Sequence, residues 1–186
     1  MTIGFATCGS YCTYEKIYPI LEQLVQSHTV IPILSYNAAQ TDTRFCAADD
    51  HTRRVQSICG IEPIRSIVNA EPIGPKKLLD ALVIAPCTGN TLAKLAHSIA
   101  DTPVTMAAKS HLRNGRPIII AISTNDGLSG AAENIGRLLN RKHFYFVPFG
   151  QDDPVGKPNS LIADFTQIEQ AVDSAMSGLQ LQPLLI

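Results

Sequence analysis

The sequence predicts a doubly wound α/β fold, Rossmann-like or flavodoxin-like, in which helices cover both faces of a parallel sheet and make three layers. Short apolar runs alternate along the chain with segments of helical period. The run at residues 117–122 (PIIIAI) is apolar throughout, as strands buried on both faces of a parallel sheet are. The length of 186 residues, without repeats or low-complexity tracts, indicates one domain over residues 1–186.

Five strands are predicted from the apolar runs. They cover residues 3–6, 30–34, 82–85, 117–122 and 144–147. Pro32 interrupts the second run, and proline cannot donate a hydrogen bond to a neighbouring strand. The second strand is therefore expected at an edge of the sheet or in an irregular position.

Six helices are predicted from apolar residues at helical spacing. They cover residues 17–25, 50–59, 92–99, 103–112, 134–139 and 162–176. Gly60 is expected to end the second helix, and Asn114 with Gly115 the fourth. Residues 35–49 and 148–158 are predicted as loops, because the first is mostly polar and the second is rich in Gly and Pro. Three prolines leave residues 61–77 without an assignment.

Charge and hydropathy argue against several classes of partner. The chain carries 15 Lys and Arg against 16 Asp and Glu, and no basic run stands out in the sequence. Nucleic acid and anionic membranes are therefore not expected as main partners. The first residues lack the pattern of a signal peptide, and no apolar run is long enough to span a bilayer. A cytoplasmic location is expected.

The five cysteines are expected to be reduced thiols, because their number is odd and no CxxC pair occurs. Cys8 and Cys12 could alternatively form a redox dithiol. No metal site is expected, since beyond Cys8 and Cys12 no other pair of cysteines and no pair of histidines has the spacing of zinc ligands.

Small polar side chains follow three of the predicted strands, and these strand ends are the candidate site. Because the carboxyl ends of parallel strands meet at one edge of a sheet, the three groups are expected to converge on one ligand. The alternative is that they only form turns and helix caps. The groups are Gly9 and Ser10; Thr88, Asn90 and Thr91; and Ser123, Thr124, Asn125 and Asp126.

The chemistry of these side chains favours a hydrogen-bonding cradle for a planar cofactor over a hydrolytic site. No G-x-S-x-G elbow, G-x-G-x-x-G loop or P-loop occurs. The five histidines have no evident acid or thiol partner and are expected on the surface or in the core. No catalytic residue is assigned.

Two loops carry charged side chains that have two interpretations each. Arg44, beside Asp42 and Phe45, could bind a substrate carboxylate, or the segment could be an Asx-turn with a surface ion pair. In the loop over residues 151–160, Asp152 and Asp153 could act as acid and base. The alternative is that the loop only leads into the last helix, with Asn159 or Ser160 as its cap.

Longer strings of the sequence resemble the family of dipicolinate synthase B subunits. The resemblance covers residues 3–186, and TDTRF and PFGQDDP are its most distinctive strings. The strings that carry it are CGSYCTYEK, SYNAAQTDTRF, NAEPIGPK, PCTGNTLAKLAHSIAD, TPVTMAAKSHLRN, ISTND, PFGQDDPVGKPNS and QLQPLLI.

This family is similar in turn to flavoproteins that include the FMN-dependent cysteine decarboxylases and the prenyl-FMN synthases. The resemblance implies a flavoprotein-like domain that binds FMN, with the phosphate near the Gly-Ser loop and the isoalloxazine reached by Ser35. It also implies a trimer or dodecamer with the flavin at the boundary between protomers. The cofactor-binding residues expected are Gly9, Ser10, Ser35, Thr88, Asn90, Thr91, Ser123 and Thr124.

The same resemblance implies a reaction. A dihydrodipicolinate-type dicarboxylate would be oxidised to dipicolinate in the mother-cell cytoplasm of a sporulating bacterium. NAD(P) would be bound by a partner, the A subunit of dipicolinate synthase, which agrees with the lack of G-x-G-x-x-G in this chain. Arg44 would pair with a carboxylate of the substrate, because arginine forms two-pronged bonds with such groups.

Three features depart from the wider flavoprotein pattern. No residue matches the catalytic histidine of the decarboxylases, for which His51 is a loose candidate. Cys8 stands where a threonine often precedes Gly-Ser, and residues 123–126 (STND) replace a segment similar to PAMN. Beside an oxidoreductase chain that binds FMN, two other hypotheses therefore stand: a scaffold without a cofactor that supports the A subunit, and a flavin-dependent decarboxylase.

Overall fold

A computed structural model describes residues 1–186 and contains a seven-stranded sheet in the order β2-β1-β3-β4-β7-β6, with β5 also beside β4. The first five strands pair in parallel, whereas β6 and β7 form an antiparallel hairpin whose second strand joins the end of β4. The strands are β1 Thr2–Thr7, β2 Thr29–Leu34, β3 Ala81–Cys87, β4 Ile118–Thr124, β5 Phe144–Phe146, β6 Phe149–Asp153 and β7 Lys157–Ala163.

Eight helices connect and cover the strands. They are α1 Tyr14–Ser27, α2 Tyr36–Gln40, α3 Ala48–Cys59, α4 Ile67–Ala70, α5 Gly89–Ala96, α6 Pro103–Leu112, α7 Ala132–Leu139 and α8 Ile168–Met176. Three single 3₁₀ turns cover Tyr11–Thr13, Glu71–Ile73 and Phe165–Gln167. None of the helices combines the length and apolarity that a membrane crossing requires.

The direction of the crossovers explains the three layers. From β1 the chain moves to β2 on one side, and from β3 it moves to β4 on the other side. Because parallel crossovers are right-handed, these two connections cover opposite faces of the sheet. Helices α1 and α8 pack on one face and α5 and α6 on the other, which confirms the predicted three-layer α/β fold.

The core is the sheet itself. Every residue of β3 and all of β4 except Thr124 are buried, as expected for the central strands of a sheet with two covered faces. One cluster of 48 buried residues runs through both layers. Pro32 lies in β2, an edge strand, and Gly60 ends α3 with a φ of 65°; both positions agree with the sequence prediction.

Both segments predicted as loops contain regular structure, so those predictions were wrong. Residues 35–49 include α2, a helix too short to show an apolar period, which Ser35 caps by accepting a hydrogen bond from the N–H of Ala38 at 3.2 Å. Residues 148–158 include β6 and the first two residues of β7, and the Gly and Pro of this hairpin conceal the alternation of its side chains. The hairpin forms because the carboxyl end of β4 offers it a partner, a contact between distant residues.

The last helix begins later than predicted. Ile162 and the proposed caps Asn159 and Ser160 lie in β7, and α8 begins only at Ile168. Asp164 instead caps the preceding 3₁₀ turn by accepting a hydrogen bond from the N–H of Thr166 at 3.1 Å.

Substitution by alanine should change the free energy of unfolding in opposite directions at Gly74 and Gly136. A Cβ on Gly74 would overlap the backbone carbonyl of Ser110 in α6, whereas a Cβ on Gly136 in α7 would meet nothing within 4 Å. Gly74→Ala should lower the free energy of unfolding by about 1–3 kcal/mol through overpacking. Gly136→Ala should raise it by up to about 1 kcal/mol, because alanine favours the helix. Urea titration at pH 7 measures both, and equal effects of the two substitutions would contradict this packing.

Candidate functional site

The largest cavity, about 650 Å³, lies where the carboxyl ends of β1, β3 and β4 meet the β6–β7 hairpin. Only five of its 19 lining residues are hydrophobic, so it can offer hydrogen bonds to a ligand as well as apolar contact. The residues that line it are Gly9, Ser10, Tyr11, Cys12, Thr13, Lys16, Phe45, Thr88, Gly89, Asn90, Ser123, Thr124, Asn125, Asp126, Asp152, Lys157, Ser160, Leu161 and Ile162.

The loop after β1 is fixed directly to the end of β4. The hydroxyls of Ser10 and Ser123 are 2.7 Å apart and share a hydrogen bond across 113 residues of sequence. The carbonyl of Ser10 also accepts hydrogen bonds from the N–H and the hydroxyl of Thr13, which turns the chain into α1. The first and third polar groups of the sequence therefore meet in one wall.

A bulge at the end of β3 directs the second polar group to the same cavity. Pairing with β4 runs from Leu82 to Ile84 and resumes at Cys87 with one extra residue on β3. Pro86 lies in this interval, where its missing N–H interrupts no regular ladder. Thr88 then begins α5 by accepting a hydrogen bond from the N–H of Thr91 at 3.4 Å.

Gly89 and Thr124 join the β3 and β4 strand ends. The Thr124 hydroxyl accepts a hydrogen bond from the N–H of Gly89 at 3.1 Å and donates one to Oδ1 of Asp126 at 2.5 Å. A Cβ on Gly89 would lie 2.6 Å from the Asp126 oxygen and 2.8 Å from the Thr124 oxygen. Only glycine allows the first turn of α5 to approach so closely.

Asn90 offers hydrogen-bonding groups that the fold does not use. Its side chain is exposed on the first turn of α5 and forms no hydrogen bond within the chain. The N–H groups at this end of a helix also carry partial positive charge, which favours anionic or carbonyl-bearing ligands. Asn90 is therefore the predicted site residue with most freedom to contact a ligand.

Ser35 and Thr91 lie on a smaller, adjoining cavity of about 200 Å³. The two cavities share Gly9, Thr88 and Asn90 in their walls. The hydroxyl of Ser35 caps α2, and that of Thr91 donates a hydrogen bond to Sγ of Cys8 at 3.3 Å. Six of the eight predicted residues thus line the large cavity, and these two line its neighbour.

Several residues of the cavity were not predicted. Lys16 lies in the first turn of α1, and no motif in the sequence marked it as a candidate site residue. Lys157 lies on the hairpin, where its 2.8 Å hydrogen bond and ion pair with Asp152 raise the pKa of the lysine. Asp153 accepts hydrogen bonds from the N–H groups of the hairpin turn and does not line the cavity.

Cys8 and Cys12 have different environments, which does not fit a redox dithiol. All five cysteines are free. Cys8 is buried, and burial raises the pKa of its thiol to about 11, which disfavours the reactive thiolate at pH 7. Cys12 is exposed and lines the large cavity.

Arg44 lies outside the cavity wall. Its guanidinium is 4.8 Å from the ring centre of Phe45, a residue that lines the cavity. Asp42 is not an ion-pair partner of Arg44; its carboxylate accepts a hydrogen bond from the N–H of Ala48 at the start of α3. Arg44 is therefore an exposed cation beside the site, and its role in substrate binding stays a prediction.

His51 lies in the core rather than in the cavity. It is 1% exposed, stacks on Tyr14 with 3.8 Å between ring centres, and has the hydroxyls of Tyr18 and Thr7 2.8 and 3.2 Å from its two ring nitrogens. Burial lowers the pKa of His51 to about 4, so the ring is neutral at pH 7. No histidine lines the large cavity.

The comparisons with known proteins agree with this fold. A family model described as Flavoprotein matches residues 1–176, and the chain belongs to this flavoprotein family. It is also 46% identical to the B subunit of dipicolinate synthase from Bacillus subtilis (strain 168), over 99% of this chain and 92% of that protein. The resemblance predicted from the sequence is thereby confirmed.

Solved structures give the same result. The crystal structure of the dipicolinate synthase B subunit from Bacillus halodurans C has a TM-score of 0.91 and 43% identity, covering 100% of this chain and 95% of that one. A dodecameric FMN-dependent Ubix-like decarboxylase from Escherichia coli O157:H7 has a TM-score of 0.65 and 22% identity, covering 80% of each chain. The second likeness shows a shared fold.

His51 should make the stability of the protein depend on pH. Its pKa is about 4 in the folded chain and about 6.5 when unfolded, so the unfolded state binds more protons between these values. The stabilisation is complete above pH 6.5 and is lost as the pH falls towards 4, by about 2 kcal/mol at pH 4.5.

The His51→Gln variant should therefore lose less stability than the wild type between pH 7 and pH 4.5, although it is less stable at pH 7. Urea titrations at both pH values measure this difference. His97→Gln, at an exposed position, is the matched control and should retain the wild-type dependence. An unchanged dependence in His51→Gln would refute the assignment.

Proposed function

We propose that the large cavity binds FMN and that the chain is the flavoprotein component of a dipicolinate synthase. The observation that carries this proposal is the convergence of three strand ends on one polar cavity of about 650 Å³. The flavoprotein family and the FMN-dependent neighbour support a flavin, and the relatives at 46% and 43% identity support the enzyme.

The residues present fit such a cofactor in their chemistry. The Gly9–Ser10 loop, the start of α5 and the cation of Lys16 offer groups suited to a phosphate. The amide of Asn90 and the hydroxyls of Ser123 and Thr124 offer donors and acceptors for the carbonyls and ring nitrogens of the flavin. FMN, when bound, would supply hydride or electron transfer. The chain would orient the ring and shield it from water.

The proposed reaction is the oxidation of a dihydrodipicolinate-type dicarboxylate to dipicolinate during sporulation, in the mother-cell cytoplasm. Both close relatives are named as one component of a larger synthase, which supports a partner chain, and we assign NAD(P) to that partner, the A subunit. The dodecameric neighbour supports a homo-oligomer, a trimer or dodecamer. Arg44 would bind a substrate carboxylate at the mouth of the cavity, beside Phe45.

A scaffold without a cofactor is the second candidate. It is favoured by the scarcity of groups that could move a proton: the only carboxylates in the cavity wall are Asp126, bound to the Thr124 hydroxyl, and Asp152, paired with Lys157. A flavin-dependent decarboxylase is less well supported, because no histidine lines the cavity.

FMN should bind to the purified protein and give a visible flavin spectrum that survives washing. Asn90→Ala should weaken the affinity about tenfold, because one or two hydrogen bonds to the ligand are lost without harm to the fold. Asn69→Ala is the matched control: Asn69 is also exposed but lines a different cavity. Equilibrium titration followed by flavin fluorescence measures the three affinities.

Thiol labelling locates the bound FMN independently. Cys12 is exposed in the cavity wall, whereas Cys8 and Cys87 are buried. FMN should slow the labelling of Cys12. A colourless protein whose Cys12 reacts equally fast with and without FMN would refute the cofactor proposal and favour the scaffold.

Arg44→Ala should raise the KM for the dicarboxylate about tenfold or more in the enzyme assembled with its partner, since a charge-assisted bond to a carboxylate is lost. FMN affinity should not change. Arg53→Ala is the control, because Arg53 lies on the exposed surface of α3 and pairs with Asp50. Steady-state kinetics test this role, which an unchanged KM would exclude.

A further inference from the structure

A second ligand-sized cavity lies apart from the candidate FMN site. It has a volume of about 320 Å³, within the range of about 300–1,000 Å³ typical of small-molecule sites. It lies among the end of α5, one face of α6 and the start of β5, and shares no residue with the FMN site. Its wall consists of Leu95, Ser98, Ile99, Ala100, Thr105, Ala108, Lys109, Leu112, Arg113, Arg141 and Phe144.

The wall combines an apolar floor with charges of one sign. Leu95, Leu112 and Phe144 provide the apolar surface. Three of the eleven lining residues are cations and none is a carboxylate, although the chain as a whole has a net charge of −1. The cavity is therefore electropositive, whereas the FMN site also contains carboxylates.

The three cations have different roles in the fold. Arg141 is held in place by hydrogen bonds to the carbonyls of Leu95 at 3.0 Å and Ala96 at 2.7 Å, where it caps the end of α5. The side chains of Lys109 and Arg113 form no ion pair or hydrogen bond within the chain. Both are exposed at the rim and are free to bind an anion.

Fold stability does not explain why the cations of Lys109 and Arg113 lie next to each other. Arg113 is the C-cap of α6 in helical geometry and follows Lys109 by four residues, so the two lie on the same face. Like charges at this spacing destabilise a helix. The helix dipole favours a positive charge near the end of α6, but it does not require two cations against an apolar cavity.

We propose that this cavity binds a small organic carboxylate: an apolar body would lie against Leu95, Leu112 and Phe144, and its carboxylate would pair with Lys109 and Arg113. A small molecule fits better than a protein segment, because the three cations surround one concave space. Arginine is well suited to the anion, since its guanidinium binds both oxygens of a carboxylate. This inference does not depend on the proposed FMN site.

Octanoate is a suitable probe, and octanamide is its uncharged analogue. Isothermal titration of the full chain at low salt should show one octanoate site, with octanamide binding at least tenfold more weakly because the ion pair is absent. The double variant K109Q/R113Q should lose octanoate binding tenfold or more. The matched control is Lys16→Gln, which removes a cation from the other cavity and should leave octanoate affinity unchanged.

Leu112→Trp should fill the cavity and abolish binding of octanoate. If this variant does not fold, as judged by circular dichroism, the charge variant still decides, because Lys109 and Arg113 are exposed. The proposal is overturned if octanoate does not bind, if octanamide binds equally well, or if K109Q/R113Q binds as the wild type does. It is also overturned if Lys16→Gln weakens octanoate binding as much as K109Q/R113Q does, since octanoate would then occupy the FMN site.

Discussion

The parallel pairing of β1, β3 and β4 is the constraint on which the rest of the structure depends. Register is set at the amino ends, where Ile3 pairs with Ala81 and Leu82 with Ile118. It brings the three carboxyl ends to one edge, and there the Ser10–Ser123 and Gly89–Thr124 hydrogen bonds close the wall of the cavity. A slip of one residue would turn the buried side chains of a strand to the opposite face, so the core and the site are specified together.

The hydroxyls around the cavity have structural roles and also line its wall. Thr88 caps α5 and Ser35 caps α2, yet both line cavities at the edge of the sheet. A strand end followed by a capped helix inevitably collects such side chains, and their presence alone does not distinguish a ligand site from a turn. The amide of Asn90 and the cation of Lys16 support the proposed ligand site, because neither side chain contributes a hydrogen bond to the fold.

The burial of His51 leaves the cavity without the histidine that the decarboxylase pattern includes. His51 sits among the hydroxyls of Tyr18 and Thr7 and under the ring of Tyr14, where it packs α3 against α1 and β1. A neutral, fully hydrogen-bonded imidazole of this kind stabilises the fold and cannot reach a ligand in the cavity. Membership of the flavoprotein family thus fixes the architecture, while the side chains in the cavity decide the chemistry.

The sequence by itself determined the five parallel strands, most helices and the polar character of the strand ends, because apolar runs and helical periodicity are local signals. It also provided the family resemblance. Only the tertiary structure decided that the β6–β7 hairpin covers the cavity, and that Lys16 faces the cavity while Arg44 lies beside it. It also brought three cations around the second cavity, Lys109, Arg113 and Arg141. These depend on contacts between residues far apart in the chain, which no local pattern records.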